Sequence, residues 1–287
     1  MDKLKGLKVR NLMSTDVRTV EVPGQRLDAL NIMKNNNISG LPVVEKGTKK
    51  YLGLITRHDI YDKPDKEQIA MLYMEDGASI TAGSSVTTLV NRFLESGQYW
   101  MPVLQDGDLV GIVTPADFLK YLEHMKFEIS AIDMIARHSC VPIHTKTPLS
   151  VALHILRITR FPALPVLDDK ARLVGIVSDM DVFKILISEE RTSIGMRLDV
   201  EDDDWTWEGI RNFNLIYAMP EVKLPDISME QVMVEKVKFL YPHSDVAGAA
   251  RTMRINNIGQ LPVCDSNDVL VGMLYNYDLL KLLAPKN

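Results

Sequence analysis

Leu164-Pro165-Val166, followed by Gly175-Ile176-Val177-Ser178-Asp179-Met180-Asp181, is the stretch that decides how this chain folds, because it is one of four copies. The apolar-Pro-Val string recurs as Leu41-Pro42-Val43, Met101-Pro102-Val103 and Leu261-Pro262-Val263. A second string follows each, with a glycine, apolar residues and a late aspartate. It reads Gly53-Leu54-Ile55-Thr56-Arg57-His58-Asp59, Gly111-Ile112-Val113-Thr114-Pro115-Ala116-Asp117 and Gly272-Met273-Leu274-Tyr275-Asn276-Tyr277-Asp278. Successive prolines stand 60, 63 and 97 residues apart. Four ordered pairs of strings make the chain a series of homologous units of about 60 residues.

Each unit reads as strand, helix, strand, strand, helix. Ahead of the second proline string, Val86, Leu89, Val90, Phe93 and Leu94 recur with helical spacing, and Val246, Ala249, Ala250 and Met253 repeat the pattern in the fourth unit. The proline opens a short apolar strand, a position it tolerates. Polar turns such as Gln105-Asp106-Gly107-Asp108 and Asp265-Ser266-Asn267-Asp268 then lead into a second strand, as in a hairpin. A 60-residue unit has a small core, so units are expected to pair, one with two and three with four. That gives an α+β chain with modules at 1–125 and 126–287.

The long third spacing places an insertion at about 188–224. It carries Glu201-Asp202-Asp203-Asp204-Trp205-Thr206-Trp207 and two of the three tryptophans. It reads either as a surface excursion packed on its parent or as a partner surface, since Trp and Tyr are enriched in interface anchors. A metal site in the acidic run is the weaker reading, because blocks of like charge are usually solvated.

Composition narrows the function classes. The 287 residues are 46% hydrophobic and 25% charged, with a formal net charge of -5. This is ordinary globular usage, and the acidic balance argues against a sequence-independent grip on nucleic acid. No apolar run is long enough for a membrane span, and the first residues lack a secretory core. Two cysteines, Cys140 and Cys264, cannot make a disulfide framework. The expected compartment is the cytoplasm. There is no HExxH, nucleophile elbow or Walker loop, and His138 near Cys140 is expected to be no catalytic pair.

The two recurring strings resemble the CBS domain, over nearly the whole chain except the insertion. In that family two motifs form a Bateman module, whose clefts commonly bind adenosine-containing ligands. Four motifs without a catalytic domain are similar to the gamma subunit of AMP-activated protein kinase and to free-standing archaeal and bacterial four-motif proteins. The resemblance implies four CBS repeats in two Bateman modules and a non-catalytic sensor. Its regulatory ligand would be an adenine nucleotide or S-adenosylmethionine, with no cofactor required. Its partner would be a regulated protein, with a homodimer as a further expectation. The rival readings are an interaction module with filled pockets, acting through the insertion, and an enzyme or metal binder using the acidic run.

Thr56-Arg57-His58-Asp59 also fits a helix capping box. Two readings therefore stand: the hydroxyl and carboxylate cap their own helix, or they also meet a ligand. Helix N-terminal N–H groups attract phosphate, and a carboxylate accepts well from ribose hydroxyls. The resemblance implies Thr or Ser near phosphate and Asp on ribose. That carries over to Thr56 and Asp59, Thr114 and Asp117, and Ser178 and Asp181. In unit four Tyr275 replaces the small hydroxyl, so Asp278 is expected to accept ribose at a site poor for phosphate. By the same resemblance the first strand supplies Thr19 and Ser79, where units three and four have Pro142 and Phe239. The residues before the proline string face the cleft: Ser39-Gly40, Tyr99-Trp100, Pro162-Ala163 and Gly259-Gln260. Tyr99-Trp100 is bulky and reads either as a stacking face for an adenine or as a filling of the cavity, with filling the expectation. Of the cationic positions in the kinase subunit, only Arg160 is matched, so ligands with few phosphates are expected to bind at least as well as ATP. Arg57 and His58 read either as reaching a phosphate or as solvated helix residues, with the second the expectation.

Overall fold

A computed structural model describes residues 6–63, 66–135, 140–182, 185 and 226–284. The insertion lies outside the described residues. In repeat one, β1 (Val20–Val22) leads to α1 (Arg26–Asn36), β2 (Gly40–Glu45), β3 (Tyr51–Thr56) and α2 (Arg57–Asp62). Repeat two has β4 (Ile80–Thr81), α3 (Val86–Ser96), β5 (Met101–Gln105) and β6 (Asp108–Val113). It closes with a 3-10 turn (Pro115–Phe118) and α4 (Leu119–Leu122). Repeat three opens with α5 (Ala131–Met134) and continues through β7 (Ile143–His144), α6 (Leu149–Thr159), β8 (Ala163–Leu167) and β9 (Leu173–Ser178). Repeat four has α7 (Val246–Asn256), β10 (Gln260–Cys264), β11 (Leu270–Tyr275) and a closing 3-10 helix (Asp278–Leu283).

In the first three repeats a short strand pairs parallel with the proline strand, which pairs antiparallel with the next. In repeat four the first strand is a single bridge, Leu240 to Val263. Leu240 donates to Pro262 and accepts from Cys264. Pro242, two residues on, has no N–H with which to make the next rung. The long first helix of each repeat ends on a left-handed residue: Asn37, Gly97, Arg160 and Asn257, with φ of 53°, 67°, 56° and 52°. Such a residue turns the chain out of the helix toward the following strand.

The glycine of the second string has a structural cause. A Cβ at Gly53 would strike Met74 and Tyr73, and one at Gly111 would strike Met13 and Ser14. A Cβ at Gly175 would strike Met233, and one at Gly272 would meet Ile135. Each glycine thus receives the lead-in segment of its partner repeat, one with two and three with four. Backbone hydrogen bonds fix three of these contacts, through Leu54 and Met74, Ser14 and Ile112, and Ile176 and Val234. The hairpins also meet, at Lys50–Asp108 and Arg172–Val269.

The buried side chains follow a different pairing. One cluster joins Val86, Leu89, Val90 and Phe93 of α3 to Val246, Ala249, Ala250 and Met253 of α7 and to Leu279, Leu280 and Leu283. The other joins Ala29, Leu30 and Met33 of α1 to Leu149, Ala152 and Leu156 of α6 and to Met180 and Val182. Sheets and lead-ins therefore bind one to two and three to four, while apolar helix faces bind one to three and two to four. A face that a 60-residue repeat cannot bury alone is covered by the opposite pair.

Candidate functional site

The end of β3 and its equivalents carries the motif residues, because the strand stops where a hydroxyl can cap the next turn. Thr56 Oγ1 donates to Asp59 Oδ2 at 2.6 Å, the Thr56 N–H donates to the same oxygen at 2.8 Å, and the Asp59 N–H returns to Thr56 Oγ1 at 3.3 Å. Thr114 N and Oγ1 donate to Asp117 Oδ2 at 2.7 and 2.9 Å. Ser178 N and Oγ donate to Asp181 Oδ2 at 2.9 and 2.6 Å. The capping reading is therefore realised in three repeats, with one carboxylate oxygen committed to the cap in each. Burial pushes the Asp117 carboxyl upward against these hydrogen bonds.

Repeat four differs in kind. The Tyr275 N–H donates to Asp278 Oδ2 at 3.2 Å, and Lys281 Nζ donates to Oδ1 at 2.9 Å. Both oxygens of this buried carboxylate are engaged. The Tyr275 ring lies parallel to Phe161, with centroids 6.4 Å apart, and burial raises its phenol.

The remaining sequence candidates fall in different places. Gly40 pairs with Thr56 and Ala163 with Ser178 across their hairpins, so both stand beside a cap. Ser39 accepts the Arg57 N–H on its carbonyl. Thr19 is half-buried just before β1. Ser79 lines an open groove of about 410 Å³ with Thr88, Asn91, Arg92 and Glu95; neither Thr114 nor Asp117 lines it. Arg160 does not approach Ser178 or Asp181 by any hydrogen bond among the described residues. It pairs instead with Asp62 of repeat one at 2.8 Å.

Arg57 corrects an expectation. It is buried rather than solvated, with its side chain 5% exposed, and its Nη1 lies 3.2 Å from Asp179 Oδ2. Helix packing of repeat one on repeat three removes it from water. Arg57 follows Thr56, and Asp179 follows Ser178, so equivalent residues of two repeats meet across the seam. Asp62 and Arg160 form a second pair there. His58 lies half-buried beside both pairs, at a gap of about 10 Å³ lined by Leu153, Leu156, Arg157 and Asp179. Burial lowers the His58 pKa; Asp179 and Asp62 oppose the shift, and Arg160 and Arg57 reinforce it. Burial raises Asp179, against the pull of Arg57. The sequence signal for the Arg57–Asp179 pair was the opposite charge after the cap in repeats one and three, where repeats two and four have Pro115 and Asn276.

The seam between repeats two and four is more aromatic. Tyr99 packs on Tyr277, with centroids 4.9 Å apart, and Tyr277 Oη donates to the Phe93 carbonyl at 2.5 Å. Arg254 Nε donates to Glu123 at 2.9 Å. Trp100 lies against Gly40, the residue equivalent to it in repeat one: a Cβ there would stand 2.7 Å from Cε2 of the indole. Among the described residues no three His, Cys, Asp or Glu side chains converge as metal ligands, and no helix is long and apolar enough to cross a membrane.

Comparison with known proteins matches the CBS domain at residues 9–65, 72–124, 130–188 and 229–285. Protein MJ1225 of Methanocaldococcus jannaschii is 28% identical over 193 residues, covering 61% of this chain and 69% of that protein. MJ1404 of the same organism is 24% identical over 280 residues, and the chain, aligned over 96% of its length, spans 62% of that relative. The 5'-AMP-activated protein kinase subunit gamma of Kluyveromyces lactis is 20% identical, over 89% of this chain and 81% of that one. The crystal structure of MJ1225, described as a proposed archaeal homologue of g-AMPK, superposes with a TM-score of 0.77. That alignment covers 97% of this chain and 100% of MJ1225 at 22% identity, so it shows a shared fold.

Proposed function

The chain belongs to the CBS-domain family, and from that premise we propose that it is a non-catalytic sensor of adenosine-type ligands. The ligand, an adenine nucleotide or a molecule of the S-adenosylmethionine type, binds in the clefts beside the caps. Its binding is passed to a regulated protein. The observation that carries this reading is the direct join between caps of different modules, Arg57 after Thr56 against Asp179 after Ser178. A ligand that perturbs one cap acts on the inter-module seam one residue away. By linkage, the partner must change ligand affinity by the same factor. Likeness to the gamma subunit supports a regulatory rather than a catalytic role.

The binding residues are Thr56 with Asp59, Thr114 with Asp117 and Ser178 with Asp181, each through the carboxylate oxygen its cap leaves free. Thr19, Ser39, Gly40, Ser79 and Ala163 are the neighbouring wall. Asp278 accepts a ribose only after Lys281 releases Oδ1, and Arg160 meets a phosphate only by leaving Asp62. A homodimer and a cytoplasmic location complete the proposal; both described cysteines are free thiols. The test is a thermal-shift panel of adenosine, AMP, ATP and S-adenosylmethionine. A ligand at about a hundred times its dissociation constant adds about 2.7 kcal/mol. No shift with any of them rejects the reading.

A further inference from the structure

We infer that Trp100 is the resident occupant of the cleft between repeats one and two, a planar aromatic plug that a purine-type ring must displace to bind there. This rests on the sensor reading above and names which cleft is closed and by what.

Gly40, Ala163 and Gln260 open their strands opposite Thr56, Ser178 and Tyr275. Trp100 holds the same place in repeat two, since it precedes Met101, which pairs with Val113, the residue before Thr114. Across module one the two equivalent positions touch. A Cβ at Gly40 would lie 2.7, 2.9 and 3.1 Å from Cε2, Cδ2 and Nε1 of the indole. The ring therefore rests on bare backbone at the Gly40–Thr56 pair, while its own backbone stands beside Thr114. The position admits a ring only because residue 40 is glycine. Ala163 and Gln260 carry no ring at this position in module two, where the ring beside a cap is that of Tyr275, stacked on Phe161. Tyr99 holds the neighbouring position by its contact with Tyr277. Stacking of an adenine on the Gly40 face and stacking of the indole on it are mutually exclusive.

The experiment is titration calorimetry of the full chain with AMP and with adenosine. Trp100→Ala is expected to add one binding site per chain, or to strengthen binding at least tenfold. Trp100→Phe, which keeps a ring, is expected to behave as the wild type does. A ligand-free arm guards against a variant that fails to fold: Gly40→Ala should lower the melting temperature of the wild type and leave that of Trp100→Ala unchanged. Binding to the wild type with no gain in Trp100→Ala overturns the inference and leaves the sensor reading standing. Absence of binding to every variant overturns both. An equal effect of Gly40→Ala in the two backgrounds overturns the inference on its own.

Discussion

Replacing Arg57 with Met tests whether the two modules are held together by a buried charge pair. The substitution keeps most of the apolar stem and removes the guanidinium. Asp179 would then lose the cation 3.2 Å away while its side chain stayed 15% exposed. Removing one partner of a buried pair costs about 3–5 kcal/mol, chiefly because the other charge is left without compensation. That loss is expected near neutral pH. It should be smaller at pH 5, because burial already raises the Asp179 carboxyl and Arg57 opposes that shift. Without Arg57 the folded-state pKa rises further above the unfolded value. Stability from the protonated acid is then present at low pH and is lost as pH rises through the folded pKa. The double variant Arg57→Met with Asp179→Leu removes both charges and should recover to within about 1 kcal/mol of the wild type. Urea unfolding followed by circular dichroism at both pH values measures all three. A loss below about 1 kcal/mol in the single variant, or a double variant no better than the single, would refute the reasoning.

Three more outcomes follow from the same packing. His58, with its pKa lowered by burial, takes up its proton at lower pH in the folded chain than in the unfolded one, so stability should fall as pH drops through about 6.5 toward the lower folded value. His58→Gln should flatten that part of the melting-temperature profile between pH 7.5 and 5, and an unchanged profile would reject the assignment. Asp168, held down to about 2 first by two hydrogen bonds from the Arg172 guanidinium at 2.8 and 2.6 Å, should titrate higher in Arg172→Ala when followed by NMR, yet stay below the ordinary carboxylate value because the Lys170 and Arg172 N–H groups still donate to it. Phe93, fully buried and set edge-on to Phe118 with centroids 6.2 Å apart, should cost about 3–5 kcal/mol when cut to Ala. Because its cluster joins repeats two and four, hydrogen exchange should rise in α7 as well as in α3.

Much of the site was legible in the sequence because its bonds are local. A hydroxyl and an aspartate three residues apart can close only on their own backbone turn, so Thr56 with Asp59 and Ser178 with Asp181 could be paired from spacing alone. Tyr275 marked repeat four as different for the same reason. Lys281, three residues beyond Asp278, was equally visible, but its grip on Oδ1 depends on how the closing 3-10 helix winds. Arg57 and His58 looked like solvated helix residues because nothing in their own repeat covers them.

The amino-acid sequence alone determined the four repeats, their strands and first helices, and the chemistry at each cap. These are local consequences of apolar spacing, proline, glycine and capping residues. The tertiary structure decided which repeat covers which. Each repeat leaves two surfaces unfinished. A strand edge takes a neighbour's lead-in, at Gly53 from Met74 and at Gly111 from Met13 and Ser14. An apolar helix face takes a repeat from the other module, α3 against α7 and α1 against α6. Only the packing of repeat one on repeat three removes Arg57 from water and gives it Asp179. Packing within the module, likewise, sets the Trp100 indole on Gly40. Contacts between residues distant in sequence depend on the three-dimensional closure of the fold, and no periodicity within one repeat encodes them.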